Sequence, residues 1–176
     1  TRGYIFAGRG HTMSPIEASN DTIQDYALSS PHSAADISET VQAAQAHSSC
    51  DNDSYTFVVM GALHPGYLDT IQTYEKGTGN NATDVGEVTH GPAYSACSVT
   101  DNTNGYGFVA GGGSPEKSEI SRFAFASPYA SADIGEVSVP FLAYGARRGV
   151  SSPTHGFVLG RTVGGSGGET LQSFPF

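Results

Sequence analysis

Tyr106-Gly107-Phe108-Val109-Ala110-Gly111-Gly112-Gly113 opens a block that runs through Ile120-Ser121-Arg122-Phe123 to Ala132-Asp133-Ile134-Gly135-Glu136. The same order of motifs stands upstream as Val58-Val59-Met60-Gly61, Ile71-Gln72-Thr73-Tyr74 and Ala82-Thr83-Asp84-Val85-Gly86-Glu87. It also opens the chain, as Ile5-Phe6-Ala7-Gly8, Ile23-Gln24-Asp25-Tyr26 and Ala35-Asp36-Ile37-Ser38-Glu39. A fourth copy begins at Phe157-Val158-Leu159-Gly160 and reaches Leu171-Gln172-Ser173-Phe174. With Gly8, Gly61, Gly111 and Gly160 as landmarks, the block recurs at intervals of 53, 50 and 49 residues, and Asp36, Asp84 and Asp133 recur at 48 and 49. A period near fifty is the mark of a repeat architecture, in which one supersecondary unit is stacked on the next.

One repeat, from Ala93 to Glu136, reads as strands throughout. Ala93 to Ser98 is small and apolar, Asp101-Asn102-Thr103-Asn104-Gly105 is a dense turn signal, and Tyr106 to Ala110 is a short apolar run that suits a buried strand. Ile120 to Ala126 supplies a third strand and Ile134 to Val139 a fourth; the i, i+3 spacing of Ile120 and Phe123 lies too close to glycines to carry a helix. Four short strands with tight turns, followed at once by the next copy, describe a blade of a β-propeller. The expectation is therefore an all-β chain, a single repeat domain over residues 1–176 built of four-stranded antiparallel blades. It holds about three and a half repeats of about 49 residues, at approximately 2–50, 51–98, 99–152 and 153–176. Propellers close with about 4–8 blades. The count thus points either to a piece of a longer polypeptide or to copies that complete one another.

Composition narrows the function. The chain has 23 Gly, no Trp and only 14% charged residues, a turn-rich profile common in all-β repeats. A formal charge of −9 with eight Lys+Arg argues against nucleic acid, which is held by clustered cations. No apolar run approaches the ~18 residues that span a bilayer, so no membrane partner is expected. Cys50 and Cys97 sit in successive repeats, too far apart for the ~5.5 Å Cα separation of a disulfide, and read as buried thiols.

The Gly-Gly doublet that closes an apolar strand, with an aromatic about a dozen residues later, resembles the kelch repeat. The kelch tryptophan is missing, and the Asp-Ile-Gly-Glu block stands roughly in its place. Ile71-Gln72-Thr73-Tyr74 followed by Gly79 to Val88, with the opening Thr1 to Gly8, is similar to the kelch-like propeller repeats of bacteriophage tail-associated virion proteins. That resemblance covers essentially the whole chain. It implies a structural or adhesive component on a virion or in the extracellular space, partnered by copies of itself, other virion or surface subunits, or a host-surface glycan.

Several residue groups offer chemistry. The pairs Asp36/Glu39, Asp84/Glu87 and Asp133/Glu136 have the makings of a glycosidase pair, but they recur in each repeat, whereas a catalytic centre is one place. Each Asp before Ile/Val reads as a turn holder that accepts backbone N–H groups. Asp51-Asn52-Asp53-Ser54 and Asp101 to Gly105 resemble fragments of calcium loops without the distal Glu, and read as hairpin tips. The six histidines, His11, His32, His47, His64, His90 and His155, show no zinc spacing. Ser48-Ser49 and Ser151-Ser152 lack a nucleophile elbow, and Gly164 to Gly168 reads as a flexible loop. The expectation is no catalytic residue, no metal and no cofactor. Asn20, Asn52 and Asn81 head glycosylation sequons in expected loops. The longest connection between the second and third strands, Arg9 to Asn20, is the expected place for a specific contact. The leading functional expectation is a non-enzymatic structural and adhesive propeller. A subunit of an extracellular filament or surface layer stands second, and a glycan-active enzyme third.

Overall fold

A computed structural model describes residues 2–9, 19–29, 33–63, 66–89, 91–113, 116–140, 148–161 and 169–176, and these form strands, turns and connectors without a helix. Four antiparallel sheets follow one another along the chain. Sheet 1 holds β1 (Arg2–Arg9), β2 (Ser19–Ala27) and β3 (Ala35–Ala44). Sheet 2 holds β4 (Ser48–Asp51), β5 (Tyr55–Leu63), β6 (Gly66–Glu75) and β7 (Thr83–Glu87). Sheet 3 holds β8 (Cys97–Asp101), β9 (Tyr106–Gly112), β10 (Lys117–Ala124) and β11 (Ser131–Glu136). Sheet 4 holds β12 (Arg148–Ser151), β13 (His155–Arg161) and β14 (Glu169–Pro175). The all-β expectation stands, and the four-stranded unit appears in sheets 2 and 3, while sheets 1 and 4 have three described strands each.

The sheets begin at β4, β8 and β12, so each divides the chain a few residues before the sequence boundaries at 51, 99 and 153. A repeat period has no phase of its own; hydrogen bonding sets it. The expected first strand over Ala93 to Ser98 starts only at Cys97, because Ala93 and Tyr94 serve as a connector that bridges to Leu68 and Gly113. The fourth strand ends at Glu136 rather than Val139.

Register also corrects the glycine landmarks. Phe57 pairs with Thr73 and Phe108 with Arg122, which makes Phe57 the counterpart of Phe108 and Gly61 the counterpart of Gly112, not of Gly111. Backbone angles agree: Met60 and Gly111 share φ values of 60° and 64°, and Gly61 and Gly112 share 136°. Gly160, paired with Thr170, is aligned with Gly111, while Gly8, paired with Asn20 beyond a bulge, is aligned with Gly61. The need for glycine is double at Gly61 and Gly112. Each has a positive φ, and a Cβ there would stand 3.2 Å from the Ala44 Cβ at the end of β3 and 2.9 Å from the Ala93 Cβ in the connector before β8.

Consecutive sheets meet face to face, and each seam has its own core. Between sheets 1 and 2, Tyr74 and Ile23 are fully buried against Tyr4 and Phe6. Between sheets 2 and 3, Phe57 stacks on Phe125 at 4.5 Å and touches Phe123 at 5.6 Å. Between sheets 3 and 4, Phe108 stacks on Phe176 at 5.0 Å and touches Phe174 at 5.6 Å. The aromatic of the third strand thus reaches back to the second strand of the preceding sheet at every seam. Each such pair adds roughly 0.5–1.5 kcal/mol beyond its buried area.

Candidate functional site

The repeated carboxylates stand apart, on the last strands of separate sheets. Asp84 pairs with Gln72 and Gly86 with Ile71, which leaves Val85 as the extra residue of a β-bulge; Ile134 and Ile37 occupy the same place in sheets 3 and 1. The Asp84 Oδ1 accepts from Gly86 N at 3.1 Å, and the Asp133 Oδ1 accepts from Gly135 N at 3.0 Å. Gly86 and Gly135 have φ values of 153° and 147°, so the acceptor holds a backbone turn that glycine alone adopts easily. Asp36 is exposed at the corresponding place, and Ser38 replaces the glycine.

Asp101 is almost fully buried, and its oxygens are occupied by its own turn: Oδ1 accepts from Thr103 N and Asn104 N at 3.0 and 3.1 Å, and Oδ2 from Asn104 Nδ2 at 2.7 Å. Asn52 does the same with Ser54 N and Tyr55 N at 2.9 and 2.7 Å. The two hairpin tips and Phe125 border a hollow of about 300 Å³. Of the sequons, Asn20 lies in β2 rather than in a loop, paired with Ala44. Asn52 lies in the hairpin tip. Asn81 lies at the seam of sheets 1 and 2, where its Nδ2 donates to the Glu39 carboxylate at 3.3 Å. Residues 10–18 of the long connection, His11, His32, His64, His90 and the Gly164 to Gly168 loop fall outside the described residues.

One place gathers polar groups from three sheets. The first strands β4, β8 and β12 lie side by side, and His47, Ser48, Ser49, Cys97, Ser98 and Arg148 border a hollow of about 250 Å³. The strands come together because their outward positions are small. A Cβ at Gly149 would collide with the Ser98 carbonyl, and the Ser98 hydroxyl donates to the Ser49 carbonyl at 2.7 Å. One turn of the strand further, Thr100 N donates to Ser151 Oγ at 2.8 Å and Asp51 N to Thr100 Oγ1 at 3.3 Å. The alternate positions are apolar, with Cys50 and Val99 buried in the cores of the seams.

Among the described residues, Arg148 is exposed and has no ion-pair partner, so its guanidinium is available at the rim. Burial lowers the pKa of His47, with the Phe6 backbone opposing, and the ring is held neutral. Burial pushes the Cys50 thiol up to about 12, which leaves it inert at neutral pH. Neither cysteine is bridged. No carboxylate borders the hollow, and no group of three His, Cys, Asp or Glu side chains converges among the described residues. Among the described residues, the arrangement offers hydroxyls, an imidazole and one cation. It can hydrogen-bond a hydroxylated ligand.

The sequence reading passed over one set of residues with a regular task. The Gln72 Oε1 accepts from Val41 N at 2.7 Å, reaching from the third strand of sheet 2 to β3 of sheet 1. Gln172 repeats this between sheets 4 and 3: its Oε1 accepts from Ser138 Oγ at 2.7 Å and Val139 N at 3.2 Å, and its Nε2 donates to the Val139 carbonyl at 3.0 Å. Ser121 takes the position in sheet 3 and meets Thr89 Oγ1 at 3.2 Å. The signal was visible in the recurrence of Gln24, Gln72 and Gln172 after an aliphatic residue. Its meaning was not, since the partner lies in another repeat.

No protein-family model matches the chain. No curated protein matches it either. Among solved structures, the fold is similar to that titled "Structure of YjhT", with a TM-score of 0.74 and 11% sequence identity over 99% of this chain. The chain spans 65% of the length of that one. At this identity the likeness concerns the fold alone.

Proposed function

We propose that the four sheets are blades of a β-propeller, and that the chain is a non-enzymatic adhesive and structural scaffold displayed on a virion or an extracellular surface. The ring reading is supported by the three equivalent seams and by the meeting of β4, β8 and β12, the strands that would line the axis. The virion setting draws on the likeness of the repeats. The observation that carries the binding reading is the composition of the axial hollow: Ser48, Ser49, Ser98, His47 and Arg148, without a carboxylate among the described residues. The repeated acids Asp84 and Asp133 are meanwhile engaged by their own backbones elsewhere. The ligand class that fits is a surface glycan, held by hydroxyl contacts and the Arg148 guanidinium.

A glycan array followed by calorimetry tests this. Binding without product formation is expected, weakened about tenfold or more by Arg148→Ala, since a charge-assisted contact is worth about 1.5–3 kcal/mol. Turnover abolished by Asp84→Asn or Asp133→Asn alone would sink the reading in favour of an enzyme.

A further inference from the structure

The hollow between the hairpin tips of sheets 2 and 3 shares no lining residue with the axial one and has a composition of its own. Asn52, Asp53, Ser54 and Tyr55 border it from sheet 2, and Asn102 and Phe125 from sheet 3. Phe125 is a fixed wall, because it stacks on Phe57 at 4.5 Å; the Tyr55 ring lies 6.5 Å from Phe57 and is 36% exposed. The sheet 2 tip carries two carboxylates. Asp51 is taken by Lys76, whose Nζ donates to its Oδ2 at 2.8 Å and to the Asn52 carbonyl at 2.6 Å. Asp53 is exposed and has no hydrogen bond or ion pair among the described residues. Sheet 3 holds the same tyrosine with a cation in place. Tyr106 pairs with Ala124 as Tyr55 pairs with Glu75, and the Arg122 guanidinium stands over the Tyr106 ring, 4.5 Å from its centre. Arg122 pairs with Phe108 and Thr73 with Phe57, so the arginine's place in sheet 2 is held by the uncharged Thr73. The seam of sheets 2 and 3 thus has the ring of that contact without the cation, and Asp53 follows Asn52 where the neutral Asn102 follows Asp101.

We propose that this hollow binds a guanidinium group, which stacks on Tyr55 and pairs with Asp53. A guanidinium is planar, weakly hydrated and always charged; it lies flat on an aromatic face and offers a carboxylate a fork of N–H donors. An ammonium lacks the plane, and a neutral sugar leaves Asp53 without a counter-charge. A volume of about 300 Å³ stands at the lower end for ligand sites and suits one such group on a short stem. The net charge of −9 favours the approach of a cation. The tip is shaped before the ligand arrives, since Asn52 Oδ1 already holds Ser54 N and Tyr55 N at 2.9 and 2.7 Å. The group belongs either to a free small molecule or to an arginine of a partner chain. This inference is independent of glycan binding at the axial hollow.

Amide NMR of the chain at low ionic strength provides the test, with methylguanidinium chloride as the probe in one arm and a terminally blocked Ala-Arg-Ala peptide in the other. Saturable shifts are expected at Asn52, Tyr55 and Asn102, and the tighter arm names the source of the group. Methylurea, the uncharged analogue of the same shape, is expected to leave these residues unmoved. Asp53→Asn and Tyr55→Leu, both at exposed positions, are each expected to weaken binding about threefold or more, and added salt to weaken it further. Thr73→Arg installs the cation that sheet 3 carries and is expected to abolish binding by filling the site. Thr73 is buried, so the two exposed variants carry the test by themselves if that one does not fold. The proposal is overturned by the absence of saturable shifts in both arms, by equal shifts from methylurea, or by saturation of the same residues with calcium chloride. Binding that survives Asp53→Asn and Tyr55→Leu combined overturns it as well.

Discussion

The seam between sheets 2 and 3 and the seam between sheets 1 and 2 solve one packing problem with different chemistry. The former is apolar: Phe57, Phe123 and Phe125 interlock, Phe123 lies over the bare Gly107, and the outer edge is tied by hydroxyls of Thr89, Ser121 and Ser131. In the latter, Lys76 stands where Phe125 would be, and Thr56 replaces the glycine under the ring, so the core shrinks to a few side chains around Tyr74. Polar bonds take over there. Ser38 Oγ donates to the Asn80 carbonyl at 2.5 Å, Ala82 N to the Glu39 carbonyl at 2.8 Å, and Val41 N to Gln72 at 2.7 Å. A repeat therefore conserves the position of a contact more strictly than its type. Directional bonds hold the seam that has less area to bury.

The largest effect is expected at the apolar seam. Phe123→Ala removes a fully buried ring that touches both Phe57 and Phe125, and is expected to cost about 3–5 kcal/mol in urea unfolding. A loss below about 1 kcal/mol would mean that the two sheets do not share this core. At the polar seam, Gln72→Leu keeps the bulk but strips Val41 N of its acceptor, for an expected loss of about 1–3 kcal/mol. Ser121→Ala, which deletes a hydroxyl whose neighbour Thr89 also meets Ser131, is expected to cost only about 1 kcal/mol. If the serine change proves the more costly, the contrast between the seams is wrong.

Acid sharpens the comparison on the side of sheet 1. Because burial lowers the pKa of His47 in the fold, the unfolded chain takes up the proton first as pH falls below about 6.5. The stability tied to the neutral ring is present above that pH and drains away between it and the lowered native value. His47→Asn is expected to flatten this part of the stability profile relative to the unsubstituted chain; parallel profiles from pH 7 to 5 would remove His47 as the cause. The smallest effect is expected at Tyr74, whose hydroxyl is buried without a hydrogen-bond partner among the described residues. Tyr74→Phe should be neutral or stabilising by up to about 1 kcal/mol, read from the shift of the urea midpoint.

The amino-acid order by itself determined what is local. The all-strand character, the hairpin tip at Asp101 to Gly105 and the turns held by Asp84 and Asp133 follow from backbone preferences of a few consecutive residues, and the period near fifty announced that they recur. Tertiary structure decided what depends on register. Only strand pairing matched Gly61 with Gly112, and placed Cys50 opposite Phe57 while its sequence counterpart Cys97 faces Ala110. Only the stacking of sheets gave Gln72 and Gln172 a partner and drew Ser49, Ser98 and Arg148 to one hollow. The physical reason is separation along the chain. Contacts some thirty to fifty residues apart are set by how whole sheets pack, and no run of a few consecutive residues contains both partners.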